Sequence, residues 1–164
     1  MKVYIIGASG SGKSYLADKL AKKYGVPCYS LDDLLWDNSR GAYNVKRSVA
    51  ERSAMLEEIL NNKNWIIEGV QYSWCDKCFE TADVIYFLDT PKLLCRIRIV
   101  RRFIERKIHR NSRRNETLKS VIALLKWTEK FYRVNLPAIK EKLEGYPNKV
   151  VTLKSRENIA ALLS

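Results

Sequence analysis

Gly7-Ala8-Ser9-Gly10-Ser11-Gly12-Lys13-Ser14 decides the reading of this chain. It has the form G-x-x-x-x-G-K-[ST], the phosphate-binding P-loop pattern. Val3-Tyr4-Ile5-Ile6 precedes it and reads as a buried strand, so residues 2–6 are the first expected strand. Tyr15, Leu16, Leu20 and Tyr24 follow at helical spacing, which predicts a helix over residues 13–24 with Gly25 at its C-cap. Strand, glycine loop and helix together make an anion nest: inward backbone N–H groups and the positive end of a helix dipole. Gly10 and Gly12 allow backbone shapes that a Cβ forbids. Gly7, Ala8, Ser9, Gly10, Ser11, Gly12, Lys13 and Ser14 are therefore the expected nucleotide-binding residues. Lys13 reaches the outer phosphates of ATP, and the Ser14 hydroxyl is a ligand for Mg²⁺.

Outward from the loop, apolar runs alternate with helical patterns. Strands are expected at residues 26–31, 65–67 running into Glu68-Gly69, 83–89 and 149–153. Helices are expected at about 46–60, with Val49, Met55, Leu56, Ile59 and Leu60 as the apolar face, from Thr90-Pro91 onward, at about 116–143 with a bend near Pro137, and at 156–163. In the helix after Pro91, Leu93, Ile97, Val100 and Ile104 form the expected core stripe. Residues 36–45 read as a loop. The alternation predicts an α/β fold, a parallel sheet with helices on both faces, in one domain spanning residues 1–164. Ligands in such sheets bind beyond the carboxyl ends of the strands.

The 164 residues contain 30 Lys and Arg against 18 Asp and Glu, a formal charge of +12. That balance points to a polyanionic partner, either nucleotide phosphates or nucleic acid. No apolar run reaches the length of a membrane span. A chain entering a strand and phosphate loop at once leaves no room for a cleavable leader, so a cytoplasmic protein is expected. Cys75 and Cys78 have zinc-knuckle spacing but no second pair follows, and Cys28 and Cys95 read as core residues.

The strand ends supply the remaining candidates. Asp32 is the expected acceptor-side base, and Asp33 the cap of the turn Leu34-Leu35-Trp36. Glu68 is the expected acid of the Mg²⁺ shell, acting through water. Arg98, Arg102 and Arg106 are four apart on one helix flank, and Arg110, Arg113 and Arg114 follow in a polar segment with His109. Ten basic side chains fall between Arg96 and Arg114, opposed only by Glu105. Such density fits an arginine-rich lid at about 108–115, closing over phosphates from a core of 1–107 and 116–164. Tyr29, Trp36, Tyr43, Trp65, Tyr72 and Trp74 are expected near the acceptor side, with Trp36 and Trp74 as candidates for stacking on a base or sugar.

Four segments in this order resemble the nucleoside-monophosphate-kinase branch of P-loop proteins, adenylate and shikimate kinase among them. They are Ile5-Ile6-Gly7 to Ser14, Leu31-Asp32-Asp33-Leu34-Leu35-Trp36, Trp65-Ile66-Ile67-Glu68-Gly69-Val70 and Arg98-Ile99-Val100-Arg101-Arg102. They resemble more closely the small bacterial "DNA topology modulation protein" (FlaR-related) group. The resemblance implies a P-loop NTPase fold: three layers, with a five-stranded parallel sheet in the order 2-3-1-4-5 and a short lid. It implies an ATP-dependent phosphotransferase with Mg²⁺. Arg98 and Arg102 match the adenylate kinase pair, one near adenine and one on phosphates, and both join Lys13 and Asp32 as catalytic candidates. Asp32 falls near the carboxylate that shikimate kinases use on their acceptor. Adenylate kinases carry Asp-Gly-Phe-Pro-Arg after strand three, whereas this chain has Glu68-Gly69-Val70-Gln71-Tyr72, so the resemblance does not name AMP as acceptor. Two alternatives stand beside a small-molecule or nucleotide kinase. One is a polynucleotide 5′-hydroxyl kinase; the other is a nucleotide-gated DNA-binding or regulatory protein with weak ATP hydrolysis.

Overall fold

The structure is a computed structural model that describes residues 1–37, 45–108 and 117–163. The first strand, β1 (Lys2–Gly7), is central and buried along its length after Lys2. Its alternation sorts the core into two layers. Tyr4 and Ile6 pack on one face with Trp65, Ile67, Phe79 and Ile85; Val3 and Ile5 pack on the other with Leu16, Leu20 and Leu153. The helix α1 (Lys13–Tyr24) covers the second face through Leu16, Ala17 and Leu20. It ends as expected at Gly25, whose φ of 64° is left-handed and whose N–H closes on the Ala21 carbonyl. Tyr15 and Tyr24 lie outside the buried stripe, more than half exposed.

The strand β2 (Cys28–Ser30) is shorter than expected, because Leu31 already opens the helix α2 (Leu31–Leu35). Ser30, not Asp33, caps that helix: its hydroxyl accepts from the Asp32 N–H at 3.3 Å. Cys28 is exposed at this edge strand, contrary to its expected core role. The helix α3 (Val49–Leu60) starts behind a capping box in which Ser48 and Glu51 exchange bonds. Val49 therefore sits in a solvated first turn and is exposed, leaving Leu56, Ile59 and Leu60 as the buried face.

β3 (Trp65–Gly69) is wholly buried and leads to α4 (Asp76–Thr81), and β4 (Val84–Leu88) follows. Trp65 opens β3 and so lies at the far end from the strand tips, not on the acceptor side. α5 (Lys92–Ile108) precedes the expected lid; residues 109–116, with His109, Arg110, Arg113 and Arg114, are outside the described residues, as are 38–44 of the expected loop.

α6 (Leu118–Lys130) continues through a π-helical turn at Phe131–Asn135 into α7 (Leu136–Glu144). The π turn sits just before Pro137, which lacks the N–H that a regular helix needs there. β5 (Val150–Leu153) and α8 (Arg156–Leu163) close the chain. All strand pairs are parallel, and their order is β2-β3-β1-β4-β5, as the resemblance implies. Among the described residues no helix is long and apolar enough to cross a membrane.

α5 departs most from expectation. Its buried residues are Cys95 and Ile99, not the stripe of Leu93, Ile97, Val100 and Ile104, which is exposed (Leu93 69%, Ile97 53%, Ile104 49%). The cause is close approach to the phosphate loop. A Cβ built on Gly10 falls 2.7 Å from the Cys95 carbonyl oxygen. With the helix that near the loop, the face carrying Cys95 and Ile99 is the one turned inward, and the stripe on the other face is left outside.

Candidate active site

The loop between β1 and α1 lies at the carboxyl edge of the central strand, where such sheets bind ligands. Gly10 (φ 79°) and Gly12 (φ 108°) both occupy conformations that side-chain-bearing residues rarely adopt. At Gly10 the clash with Cys95 adds a second reason for glycine. The loop turns on the Ser11 N–H, which donates to the Ala8 carbonyl at 3.2 Å. Ser11 is fully buried, and its hydroxyl has no hydrogen-bond partner.

Lys13 is buried, and its Nζ donates to the Ala8 carbonyl at 2.9 Å, folding the side chain back over the loop. Burial pushes its pKa down, while the carboxylates of Glu68 and Asp32 hold it up and Arg102 lowers it further. The charges that act on Lys13 thus include three side chains singled out in the sequence, one from each of β3, α2 and α5. Ser14 Oγ donates to Glu68 Oε1 at 2.9 Å, joining the first turn of α1 to the tip of β3. Glu68 is buried, and Gly69 beside it is packed so closely that a Cβ would meet the Leu31 side chain at 2.8 Å.

Arg98 completes the near side. Its Nη1 donates to the carbonyls of Gly10 (3.2 Å) and Ser11 (2.9 Å). Thr90 adds a hydroxyl bond to the same Ser11 carbonyl at 3.3 Å. Tyr132, on the π turn, donates to the Thr90 carbonyl at 2.5 Å and lies 3.2 Å from Cys95 Sγ. The irregular turn therefore fixes the start of α5, and with it Arg98. Outside this cluster, Arg98, Ser11, Pro91, Leu94, Lys154 and Ser155 help line a cleft of about 450 Å³ between α5 and the β5–α8 junction. Asp89, at the tip of β4, is paired with Lys140 at 3.0 Å.

Across the sheet edge, Asp32 and Asp33 occupy the first turn of α2. Arg47 satisfies the far end of that helix through the carbonyls of Asp33, Leu34 and Trp36, and pairs with Asp37 at 3.6 Å. Lys46 covers the Trp36 ring. The sequence reading missed Arg52. It lies in the N-terminal part of α3, which topology places at the carboxyl edge of the sheet, and its guanidinium stacks 4.9 Å from the Trp74 ring centre. The Nε of Arg52 and the Nε1 of Trp74 are both buried without a hydrogen-bond partner, and Arg52 has no carboxylate partner among the described residues. A stack formed across 22 positions leaves no local pattern to read. Nearby, Cys75 and Cys78 are buried, and the Cys75 thiol is pushed up mainly by its hydrogen bond to Cys78 and then by burial. Among the described residues no group of three or more His, Cys, Asp or Glu side chains is placed to hold a metal.

No protein-family model matches the chain, and no curated protein matches it. Solved structures do match over almost its whole length. A gluconokinase from Sinorhizobium meliloti 1021 is 18% identical, with a TM-score of 0.56, covering 99% of this chain and 86% of that one. A shikimate kinase from Bacteroides thetaiotaomicron is 15% identical, with a TM-score of 0.53, covering 98% and 92%. An uncharacterized protein from Eubacterium ventriosum is 18% identical, with a TM-score of 0.54, covering 99% and 94%. The five-stranded parallel sheet, its order and its flanking helices are those of the P-loop kinase fold.

Proposed function

We propose that the chain is an ATP-dependent phosphotransferase whose acceptor is a small hydroxyl compound carrying an oxyanion. The observation that carries this reading is the convergence of Lys13, the Ser14–Glu68 pair and Arg98 on one glycine loop, with the Asp32 carboxylate near enough to act on Lys13. A switch or motor also needs the loop. A carboxylate close enough to act on Lys13, carried by the helix that follows β2, is what an acceptor hydroxyl requires.

The roles follow from the geometry. The loop N–H groups hold the β-phosphate, and the cleft beside Arg98 takes the base. Lys13 exchanges its bond to the Ala8 carbonyl for the outer phosphates. A hydroxyl bonded to a carboxylate is an all-oxygen donor pair, which suits Mg²⁺. Ser14 would hold the ion directly and Glu68 through water, and the ion would supply neutralisation of phosphate charge. Arg102 neutralises the transferring group. Asp32 accepts the acceptor's hydroxyl proton as the oxygen bonds to the γ-phosphorus and the bond to the β-phosphate oxygen breaks, releasing ADP.

The oxyanion is inferred from Arg52. A guanidinium stacked on Trp74 with no carboxylate partner among the described residues, and with the buried Arg52 Nε and Trp74 Nε1 left unsatisfied at about 1–3 kcal/mol each, suits an oxyanion. Incubation with ATP radiolabelled at the γ-phosphate, against hydroxy acids and phosphorylated sugars, tests the reading. Label appearing on such a compound supports it. Label released only as inorganic phosphate in every mixture overturns it.

A further inference from the structure

The outer face of α5 carries exposed apolar side chains that, among the described residues, no other element covers. Ile97, Val100 and Ile104 line a groove of about 470 Å³, walled on the far side by Leu125 of α6. Elsewhere on the same two helices Ile108 and Leu118 are also exposed, at 70% and 65%. A continuous apolar strip of this kind marks an interaction surface. Its spacing also has a definite form. Ile97, Val100 and Ile104 are separated by three and four residues, and Leu118, Ile122 and Leu125 on α6 by four and three. These are the intervals of a helix–helix seam.

The flanks are cationic. Arg96 and Arg101 stand on the groove wall, and Lys107, Lys119 and Lys126 are exposed on the same two helices. Glu105 pairs with Arg101 at 2.7 Å, and Glu129 with Lys92 at 2.9 Å and Arg96 at 3.9 Å, so the net positive charge of the rim comes from the excess of cations that Lys107, Lys119 and Lys126 add. We propose that this groove docks an amphipathic helix with acidic flanks from another protein. A second copy of the chain would oppose one cationic rim to its own image, since a two-fold interface meets itself. An anionic bilayer shares the charge preference but is flat, whereas the groove is concave and sized for side chains, with the Glu105 carboxylate on its wall. The surface lies opposite the face of α5 that holds Cys95 against Gly10, so it is separate from the phosphate site.

The test is fluorescence anisotropy on the full chain. The probe is a labelled peptide of about 18 residues, long enough for a helix, with leucines at three–four spacing and glutamates on the flanks. The proposal expects saturable binding that weakens with salt and exceeds that of a scrambled peptide by about tenfold or more, a difference of about 1.4 kcal/mol. Ile97→Glu and Ile104→Glu should each remove that excess while leaving ATP affinity and melting temperature near wild type. Equal binding of the scrambled peptide would reduce the surface to charge alone and overturn the proposal. So would capture by phosphatidylserine vesicles without peptide binding, a dimer in sedimentation abolished by Ile97→Glu, or no peptide binding at all.

Discussion

Ser14 Oγ donates a 2.9 Å hydrogen bond to Glu68 Oε1, tying the first turn of α1 to the tip of β3 across 54 positions of sequence. The bond prepares a hydroxyl and a carboxylate at one edge of the phosphate loop before any ligand arrives. Groups that orient metal ligands from the outer shell typically contribute ten- to hundredfold in affinity. Glu68→Gln keeps the volume and removes the charge. It should raise the Mg²⁺ concentration needed for half-maximal ATP binding by about tenfold, read as ATP-induced thermal stabilisation across a Mg²⁺ titration. An unchanged titration would remove Glu68 from the metal shell.

Arg98 braces the loop itself, because its Nη1 holds the carbonyls of Gly10 and Ser11. Arg98→Ala leaves both carbonyls without that donor. Unfolding free energy should fall by about 1–3 kcal/mol, the scale for hydrogen bonds to a charged group, and ATP should bind about tenfold or more weakly. Urea denaturation and calorimetric titration measure the two losses separately. Loss of ATP affinity with stability intact would show that the anchoring bonds carry no weight in the folded chain.

Lys13 is a charged group whose burial lowers its pKa from 10.5. Its folded value therefore lies below its unfolded value. Below the folded value the lysine is protonated in both states, and the buried charge costs stability. As pH rises through the folded value toward 10.5, the unfolded chain holds more protons than the folded one, so stability contributed at this site rises. Lys13→Met should thus be more stable than wild type at neutral pH, by about 1 kcal/mol, while losing phosphoryl transfer. The gap should narrow toward pH 10.5 in parallel denaturation curves. A widening gap would contradict the assignment of burial as the dominant influence.

Gly10 and Gly69 are held by space rather than by chemistry. Alanine at Gly10 combines a φ of 79° with a 2.7 Å approach to the Cys95 carbonyl, and alanine at Gly69 meets Leu31 at 2.8 Å. Each should destabilise the chain by about 2–4 kcal/mol, seen as a lower denaturation midpoint. Only Gly10→Ala should also displace α5 and weaken nucleotide binding. Tolerance of both would mean that the helices do not approach as closely as the structure places them.

The sequence carried the sheet and the phosphate loop openly, because each is encoded locally. β1 is an unbroken apolar run, the loop is eight consecutive residues, and Gly25 stops α1 where a left-handed residue is needed. The residues around the loop were legible for the same reason: Lys13, Ser14, Glu68 and Arg98 sit at strand ends or at helical spacing from them, and the structure places them about one loop. α5 was misread because periodicity measures apolar bulk and not distance of approach. Its inward face is set by the close approach to Gly10, which puts Cys95 and Ile99 against the loop and leaves the stripe outside. Asp33 was misassigned because Ser30, one residue before the helix, competes better for the free N–H groups. Trp74 was singled out, but its partner Arg52 escaped notice because their stack joins two elements that share no pattern.

The central claim is transfer to an acceptor, and acceptor-dependent ADP release tests it most directly. Wild type and Asp32→Asn are compared with Mg²⁺ and ATP across hydroxy acids, sugar phosphates, nucleotides and DNA ends. The account predicts that a hydroxyl compound bearing a carboxylate or phosphate raises ADP release by about a hundredfold or more over water alone. It also predicts that Asp32→Asn removes that increment while ATP binds as before. ADP release that no compound alters, or an increment that survives Asp32→Asn, would contradict it.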